Sequence, residues 1–197
     1  MCGIIGFSGS FDAARLRHAS GLQGHRGPDS SGEFIDAEAG MGLGHVRLSI
    51  LDLSVLGNQP MSSPDGSVVL VFNGEIYNFR ELRKELETRG CSFRGNSDTE
   101  VLLQLYLGYG EGMLGRLNGD FAFALWDKRD QTLFVARDAG CKAAVLRRYA
   151  RRLRFRQRDQ GAPALGARGE NAGRPGAASL PELSVVPGRR HARAWRT

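Results

Sequence analysis

The second residue of the chain is a cysteine, and its position gives it two reactive groups at once. Removal of Met1 would leave Cys2 with a thiol and a free α-amine on the same residue. An N-terminal amine has a reference pKa of about 7.7–8.0, so near neutral pH it is able to accept the proton of its own thiol. This pairing favours nucleophilic acyl transfer, which also needs hydrogen-bond donors for the oxyanion of the tetrahedral intermediate. A small buried apolar residue is the alternative interpretation of Cys2.

Other polar positions could serve such a reaction, and each also has an ordinary structural interpretation. Asn73-Gly74 follows an apolar run and is typical of a turn. Asp98 lies just after a serine and two residues before a glutamate, a spacing that predicts a capping box at the start of a helix. Arg47 could be an exposed strand residue. Taken one at a time, these residues do not establish a function.

These residues lie among alternating strand and helix patterns in the first 140 residues. Cys2 precedes the first predicted strand, and Asn73-Gly74 follows the third, whose continuous apolar run is typical of a strand buried on both faces. Cys91 begins a strand-like segment and is expected to lie in the hydrophobic core. Apolar periodicity and turn residues predict strands over 3–7, 41–53, 68–72, 121–127 and 132–137, and helices over 13–22, 78–89 and 99–109.

The overall composition is that of a globular protein. Apolar residues make up 41% and charged residues 24% of the 197 residues, which fits a soluble chain with a core. No apolar run approaches the roughly 20 residues of a membrane-spanning helix, and no basic-then-apolar signal opens the chain, so we expect a cytoplasmic protein with no membrane partner. The three cysteines lack CxxC spacing, which argues against a disulfide framework or a zinc site.

Charge is divided unevenly along the chain. Residues 141–197 carry 14 basic and 3 acidic residues, whereas residues 1–140 carry 13 basic and 18 acidic residues. The basic tail is rich in Arg, Ala, Gly and Pro, has no sustained periodicity, and is expected to be disordered. Its arginines would attract phosphate groups, but no recognisable nucleic-acid-binding module is present. A nucleic-acid binder is therefore the alternative from another functional class, without an expected specific nucleic acid.

Six short blocks stand in order within about residues 1–142. They read MCGIIG (1–6), HRGPD (25–29), GHVRLSI (44–50), NGEIYN (73–78), SDTE (97–100) and LNGDFAFA (117–124). As a set they resemble the class II glutamine amidotransferase domain of the glutamine-hydrolysing asparagine synthetases. Other class II amidotransferases share the leading Cys-Gly but differ in the later blocks.

The resemblance implies a role for each matching residue. Cys2 would attack the side-chain amide carbon of L-glutamine and form a γ-glutamyl thioester, with release of ammonia. Asn73 and Gly74 match the oxyanion hole, and Arg47 matches the residue that pairs with the α-carboxylate of glutamine. The α-amine of glutamine would be held by Glu75 and Asp98, helped by the loop of Leu48, Ser49 and Ile50.

The same resemblance implies an α+β fold, the αββα four-layer sandwich of the N-terminal nucleophile hydrolases. It implies a type 2 glutamine amidotransferase domain over residues 1–142 that needs no cofactor. ATP and Mg²⁺ are expected only in a synthetase domain that is missing from this sequence. A synthetase domain or subunit would receive the ammonia, and a homodimer is left open. An amidotransferase that serves another acceptor and an inactive remnant are the alternatives.

The family pattern stops shortly after Asp138. Family members continue with a Pro-Leu-Tyr-Tyr segment and then a Phe-Ala-Ser-Glu-Ile-Lys-Ala-Leu segment. Codons that are allowed for residues 143 onward give similar segments when they are read one base later. We therefore expect that a single frameshift near codon 142 produced residues 143–197, and that the amidotransferase domain is incomplete at its C-terminal end.

Overall fold

Two antiparallel sheets form the centre of the structure. The computed structural model describes residues 2–9, 13–49 and 53–138 in full, and the backbone of residues 146–148 and 153–156. The first sheet has the strand order β2-β3-β1-β9 and the second has the order β4-β5-β6-β7-β8. In chain order the strands are β1 (Gly3–Ser8), β2 (Ser30–Asp36), β3 (Met41–Arg47), β4 (Met61–Ser62), β5 (Val68–Ile76), β6 (Gly119–Asp127), β7 (Thr132–Arg137), β8 (Leu146–Arg148) and β9 (Leu153–Arg156).

Helices cover the outer faces of the two sheets. In the described part of the chain they are α1 (Ala13–Gly21), α2 (Phe79–Thr88) and α3 (Asp98–Tyr109). Leu16 and Ala19 of α1 pack on Ile5 in the first sheet, whereas α2 and α3 pack on the second sheet. None of these helices is long and apolar enough to span a membrane. The order of the layers confirms the expected αββα sandwich.

Strand β5 is buried on both faces, as its continuous apolar run predicted. Leu70 and Phe72 belong to the cluster beneath α2 and α3, whereas Val69 and Val71 belong to the cluster between the two sheets. Successive side chains of a strand point to opposite faces, so each face of β5 has its own apolar partner. This burial fixes the position of the residues that follow Phe72 along the strand.

Some predicted elements differ from the structure. The strand predicted over 41–53 ends at Arg47, and Leu53 at the end of the predicted range is 80% exposed. Cys91 packs against the core as expected, but its segment is not a strand. Among the strands before β8, two were not predicted, since β2 is largely half-buried and β4 has only two residues.

The region after residue 142 contains two short strands, which departs from the expectation of no regular structure there. Strand β8 pairs with β7 opposite residues 133–135, and β9 pairs with β1 opposite residues 5–8. Sheet edges offer unpaired backbone N–H and C=O groups that pair with many sequences, so strand pairing does not require the family's sequence. The remaining residues of 143–197, and with them the expectation of disorder, lie outside the described residues.

Candidate active site

The thiol of Cys2 lies against the backbone of Leu48. Strand β1 begins one residue after Cys2, and Gly3 is opposite Val46 of β3, so the antiparallel register brings Cys2 beside the end of β3. The Leu48 N–H donates to the Cys2 Sγ at 3.3 Å, and the Sγ lies 3.6 Å from the Leu48 carbonyl oxygen. The Arg26 Nε also donates to the Cys2 carbonyl at 3.0 Å. The thiol is thus held half-buried at a fixed position.

The HRGPD block braces the segment beside the thiol. The Asp29 N–H donates to the Arg47 carbonyl at 3.0 Å, and the Asp29 Oδ2 accepts from the Ser49 N–H at 2.7 Å. A Cβ on Gly27 would lie 2.5 Å from the Arg47 nitrogen, so only glycine allows this close approach. The resemblance implies no role for the residues of this block. Its Gly-Pro-Asp sequence, which is typical of a tight loop, was the available signal.

Arg47 is buried, which contradicts the interpretation of an exposed strand residue. It is 7% exposed, and its Nη1 donates to the Ser54 carbonyl at 2.9 Å and to the Asn58 Oδ1 at 2.7 Å. These two acceptors belong to the loop between β3 and β4, and they orient the guanidinium at the end of β3. Asn58 was missed by the sequence analysis, since an isolated asparagine in a loop carries no specific signal.

Asn73 and Gly74 continue strand β5, so the interpretation of a turn at these residues is wrong. Asn73 is opposite Ala122 and Gly74 is opposite Phe121 of β6. Gly74 has a φ of 153°, which side chains rarely tolerate, and a Cβ there would lie 2.2 Å from the Asp120 carbonyl oxygen. Position 74 therefore requires glycine for two reasons: its backbone conformation and its close approach to β6.

Asp98 is a buried carboxylate at the first residue of α3. It is 5% exposed, and its Oδ2 accepts from the Ile76 N–H at 3.1 Å. Burial raises the pKa of Asp98 to about 6, and the negative charge of Glu75 adds to this effect. The Ser97 side chain accepts from the Glu100 N–H, which confirms the predicted helix cap. The Glu100 carboxylate instead accepts from the Arg94 and Gly95 N–H groups.

His45 joins the strands that carry the two halves of the site. Its Nε2 donates to the Phe72 carbonyl at 3.1 Å. Arg47, which lies beside Cys2, is two residues after His45 on β3. Asn73 is the residue after Phe72 on β5. The structure therefore brings Cys2, Arg47, Leu48, Ser49, Asn73, Gly74, Glu75 and Asp98 to one end of the two sheets, whereas Ile50 lies outside the described residues.

His45 itself stays neutral in the folded protein. Burial, with a smaller effect from the charge of Arg47, lowers its pKa to about 4. A carbonyl only accepts hydrogen bonds, so the Nε2 must carry the proton of the neutral ring. Among the described residues, no cluster of three or more His, Cys, Asp or Glu side chains has the arrangement of a metal site.

Relatives with similar sequences include enzymes that use glutamine. The chain is 43% identical over 145 residues to the glutamine-hydrolysing asparagine synthetase 1 of Bacillus subtilis, and the match covers 70% of this chain and 22% of that protein. It is 48% identical over 123 residues to the amidase chyE of Penicillium rubens, covering 62% of this chain and 18% of the relative. The chain thus spans about a fifth of the length of these proteins.

A solved structure has the same fold. The glutamine phosphoribosylpyrophosphate amidotransferase of B. subtilis aligns with a TM-score of 0.59 and 25% identity, over 70% of this chain and 37% of that chain. Residues 1–154 match the family model described as a glutamine amidotransferase domain. This match covers most of the chain and includes all six sequence blocks and the strands β1 to β8. The chain therefore belongs to the glutamine amidotransferase domain family and is homologous to the glutaminase domains of asparagine synthetases.

Proposed function

We propose that this chain releases ammonia from L-glutamine at Cys2, as the glutaminase part of an asparagine synthetase. The observation that carries the proposal is the thiol of Cys2, which lies within hydrogen-bond reach of Leu48 on the segment that follows Arg47. A nucleophile that contacts the residue after a buried arginine suits a substrate that has both an amide and a carboxylate.

The reaction follows from the two groups of Cys2. After removal of Met1, the free α-amine accepts the thiol proton and the sulfur attacks the side-chain amide carbon of glutamine. The oxyanion that forms is stabilised by the Asn73 side-chain amide and the Gly74 N–H. Collapse of this intermediate transfers a proton to the leaving nitrogen, which departs as ammonia, and leaves a γ-glutamyl thioester. Water then attacks the thioester, which gives glutamate and restores the thiol.

Charged groups of both signs among the candidate site residues suit the two charged ends of glutamine. Arg47 would pair with the α-carboxylate, because a guanidinium matches the fork of a carboxylate. Asp98 and Glu75 would bind the α-ammonium, with the loop of Leu48, Ser49 and Ile50 closing around it. Asp98 begins a helix next to the strand that carries Gly74, so the amine site and the oxyanion hole share one support.

The proposed acceptor of the ammonia rests on similarity to other proteins. Similarity to asparagine synthetases favours aspartate that is activated with ATP in a synthetase domain or subunit. The similarity to the amidase chyE supports a second candidate, an amidotransferase domain that serves another acceptor. Because the match covers 22% of the first relative and 18% of the second, the similarity does not decide between these two acceptors. A cytoplasmic location suits Cys2, whose thiol must remain reduced.

The test is ammonia release from glutamine by the purified chain, with mass spectrometry to verify removal of Met1. Cys2→Ala should reduce the rate by at least about 1000-fold. Cys91→Ala is the matched control, because Cys91 is also a free, half-buried cysteine but packs against the core beneath the helices. Ammonia release that survives Cys2→Ala, or that is lost equally in Cys91→Ala, would contradict the proposal.

A further inference from the structure

Gln59 makes two buried hydrogen bonds that link strand β5 to helix α3. Its Oε1 accepts from the Phe72 N–H at 2.6 Å, and its Nε2 donates to the Thr99 Oγ1 at 3.3 Å. Gln59 is 8% exposed and Thr99 is 4% exposed. Phe72 immediately precedes Asn73, and Thr99 immediately follows Asp98. One side-chain amide thus connects the two parts of the proposed glutamine site.

The side chain of Gln59 replaces a strand partner that β4 does not provide. Met61 of β4 is opposite Leu70 of β5, and the same register continued by two residues would place Gln59 opposite Phe72. Strand β4 stops before this point, and the Gln59 amide supplies the acceptor for the Phe72 N–H instead. The Phe72 carbonyl accepts from His45, so both backbone groups of Phe72 are held by side chains.

The Gly74 N–H lies between two anchored N–H groups. Alternate residues of an antiparallel strand direct their N–H groups to the same edge, so Phe72, Gly74 and Ile76 share one edge of β5. The first is held by Gln59, and the third donates to Asp98 at 3.1 Å. Gln59 also bonds to Thr99, and Asp98 is the first residue of α3, so both hydrogen-bond partners connect β5 to the first turn of α3. Glycine has unusual backbone freedom. Pairing with β6 restrains Gly74 from the other edge of β5, and the anchors at Phe72 and Ile76 hold the strand on both sides of the Gly74 N–H.

We propose that Gln59 is a positioning residue for the oxyanion hole, which it holds in register with the amine-binding carboxylate of Asp98. This inference rests on the proposed glutamine hydrolysis and adds a residue that no sequence block contains. Gln59 touches neither the substrate nor the thiol in this role, and acts through Phe72 and Thr99. The backbone of Gln59 packs closely against β2, because a Cβ on Gly32 would lie 2.2 Å from the Gln59 carbonyl oxygen.

The first experiment measures kcat and KM for ammonia release in Gln59→Met and Thr99→Val. Methionine retains the length of the side chain without its hydrogen bonds, and valine retains the shape of threonine. A small misplacement of a catalytic donor costs up to about 100-fold in rate, so kcat per folded molecule should fall by about 10- to 100-fold in Gln59→Met, with KM changed by less than about threefold. Thr99→Val should lose less, and Thr99→Ser should restore the rate.

Tyr106→Phe is the matched control for a merely structural role. The Tyr106 hydroxyl donates to the Asp127 Oδ2 at 3.3 Å, which is another buried hydrogen bond between α3 and the second sheet. Its loss should lower stability without lowering kcat per folded molecule. The inference would be overturned if kcat in Gln59→Met remained within twofold of the wild type, or if Tyr106→Phe lost as much.

Amide hydrogen exchange separates failure of the inference from failure of the proposed function. If the wild type releases no ammonia from glutamine, the proposed function fails, and exchange then decides the role of Gln59. Faster exchange at both Phe72 and Ile76 in Gln59→Met, but not in Tyr106→Phe, would show that Gln59 holds β5 against α3. Exchange that changes only at Phe72 would overturn the inference.

Discussion

Asp98 experiences two opposing influences at the start of α3. The Ile76 N–H and the first turn of the helix favour its charged form, whereas burial and the nearby Glu75 disfavour it. The effect of burial is the larger one, because the charged carboxylate loses more stabilisation from water than these hydrogen-bond donors provide. A carboxylate with a pKa of about 6 is mostly ionised at neutral pH and becomes protonated as the pH falls below about 6.

We predict that kcat/KM for glutamine falls in a second step as the pH is lowered through about 6, below the first step that protonation of the Cys2 α-amine causes at about pH 8. Protonation of Asp98 removes the negative charge that would bind the α-ammonium, and kcat/KM reports groups of the free enzyme. Glu75→Gln should move the midpoint to lower pH, because the Glu75 charge raises the pKa of Asp98. The measurement is a pH–rate profile over roughly pH 5 to 8. An unchanged midpoint in Asp98→Asn would refute this assignment.

The same pKa predicts how Asp98 affects stability. Its pKa in the folded protein lies above the ordinary value of 3.8, so folding favours the protonated form. Asp98 therefore lowers the free energy of unfolding as the pH rises from about 4 to about 6. Asp98→Asn retains an acceptor for the Ile76 N–H without the charge. At pH 7 we expect this variant to bind glutamine poorly and to resist urea at least as well as the wild type.

Gly74→Ala should damage both stability and activity. Its φ of 153° and the 2.2 Å approach of a Cβ to the Asp120 carbonyl together predict a loss of at least about 2 kcal/mol in the free energy of unfolding. Gly66→Ala is the control, since Gly66 has a φ of 70° and no atom near its Cβ, so strain alone costs about 1 kcal/mol. Equal losses in the two variants, measured by urea unfolding, would contradict the steric explanation.

At the scale of elements, the site lies where β3, β5 and the first turn of α3 meet. His45 connects β3 to β5, Asp98 connects α3 to β5, and the loop before β4 binds Arg47. The NGEIYN and LNGDFAFA blocks also contact each other, since the Tyr77 hydroxyl donates to Asp120 at 2.7 Å. Each sequence block therefore supports a neighbour that is distant in the chain.

The connection through His45 predicts a loss of stability in acid. The pKa of His45 in the folded protein is about 4, below the ordinary value of 6.5, so the unfolded chain binds a proton more readily. The stability that neutral His45 provides is complete above about pH 6.5 and is lost as the pH falls to about 4, up to about 3 kcal/mol. His45→Gln retains a donor for Phe72 and should flatten urea stability between these pH values.

His18→Gln serves as the control for this experiment, because His18 is exposed on α1. The stability of the His18→Gln variant should depend on pH in the same way as that of the wild type. If His45→Gln loses as much stability in acid as the wild type does, the buried imidazole is not the cause.

At the scale of the whole molecule, the two sheets extend beyond the region where the family motifs end. Strand β9 completes the edge of the first sheet beside β1, and β8 lies beside β7 in the second sheet. Strand β1 follows the nucleophile directly, so the pairing of β9 supports the strand on which Cys2 depends. The boundary of the domain at residue 142 and the frameshift after it remain predictions.

Two truncated chains test the contribution of these edge strands. Residues 1–157 retain β8 and β9, whereas residues 1–142 lose both and expose the edges of β1 and β7. We expect the shorter chain to lose at least about 2 kcal/mol of stability, since several backbone hydrogen bonds are removed. Thermal unfolding of the two chains measures this, and equal midpoints would show that β8 and β9 add nothing.

Much of the site was predictable because its residues belong to short contiguous blocks. Cys2, Arg47, Asn73, Gly74 and Asp98 were all named from motifs. Helix positions followed from apolar periodicity, and the two-sided burial of β5 followed from its unbroken apolar run. These properties depend on neighbours in the chain, which the sequence shows directly.

The sequence alone determined the family, the sandwich fold and the identity of the candidate nucleophile. Only the tertiary structure decided that Asn73-Gly74 continues a strand, that Arg47 is buried, and that Gln59 and the HRGPD loop brace the site. The physical reason is that these features depend on pairing and packing between residues distant in the chain. A glutamine in a loop and a glycine after a strand look ordinary until the partners that surround them are known.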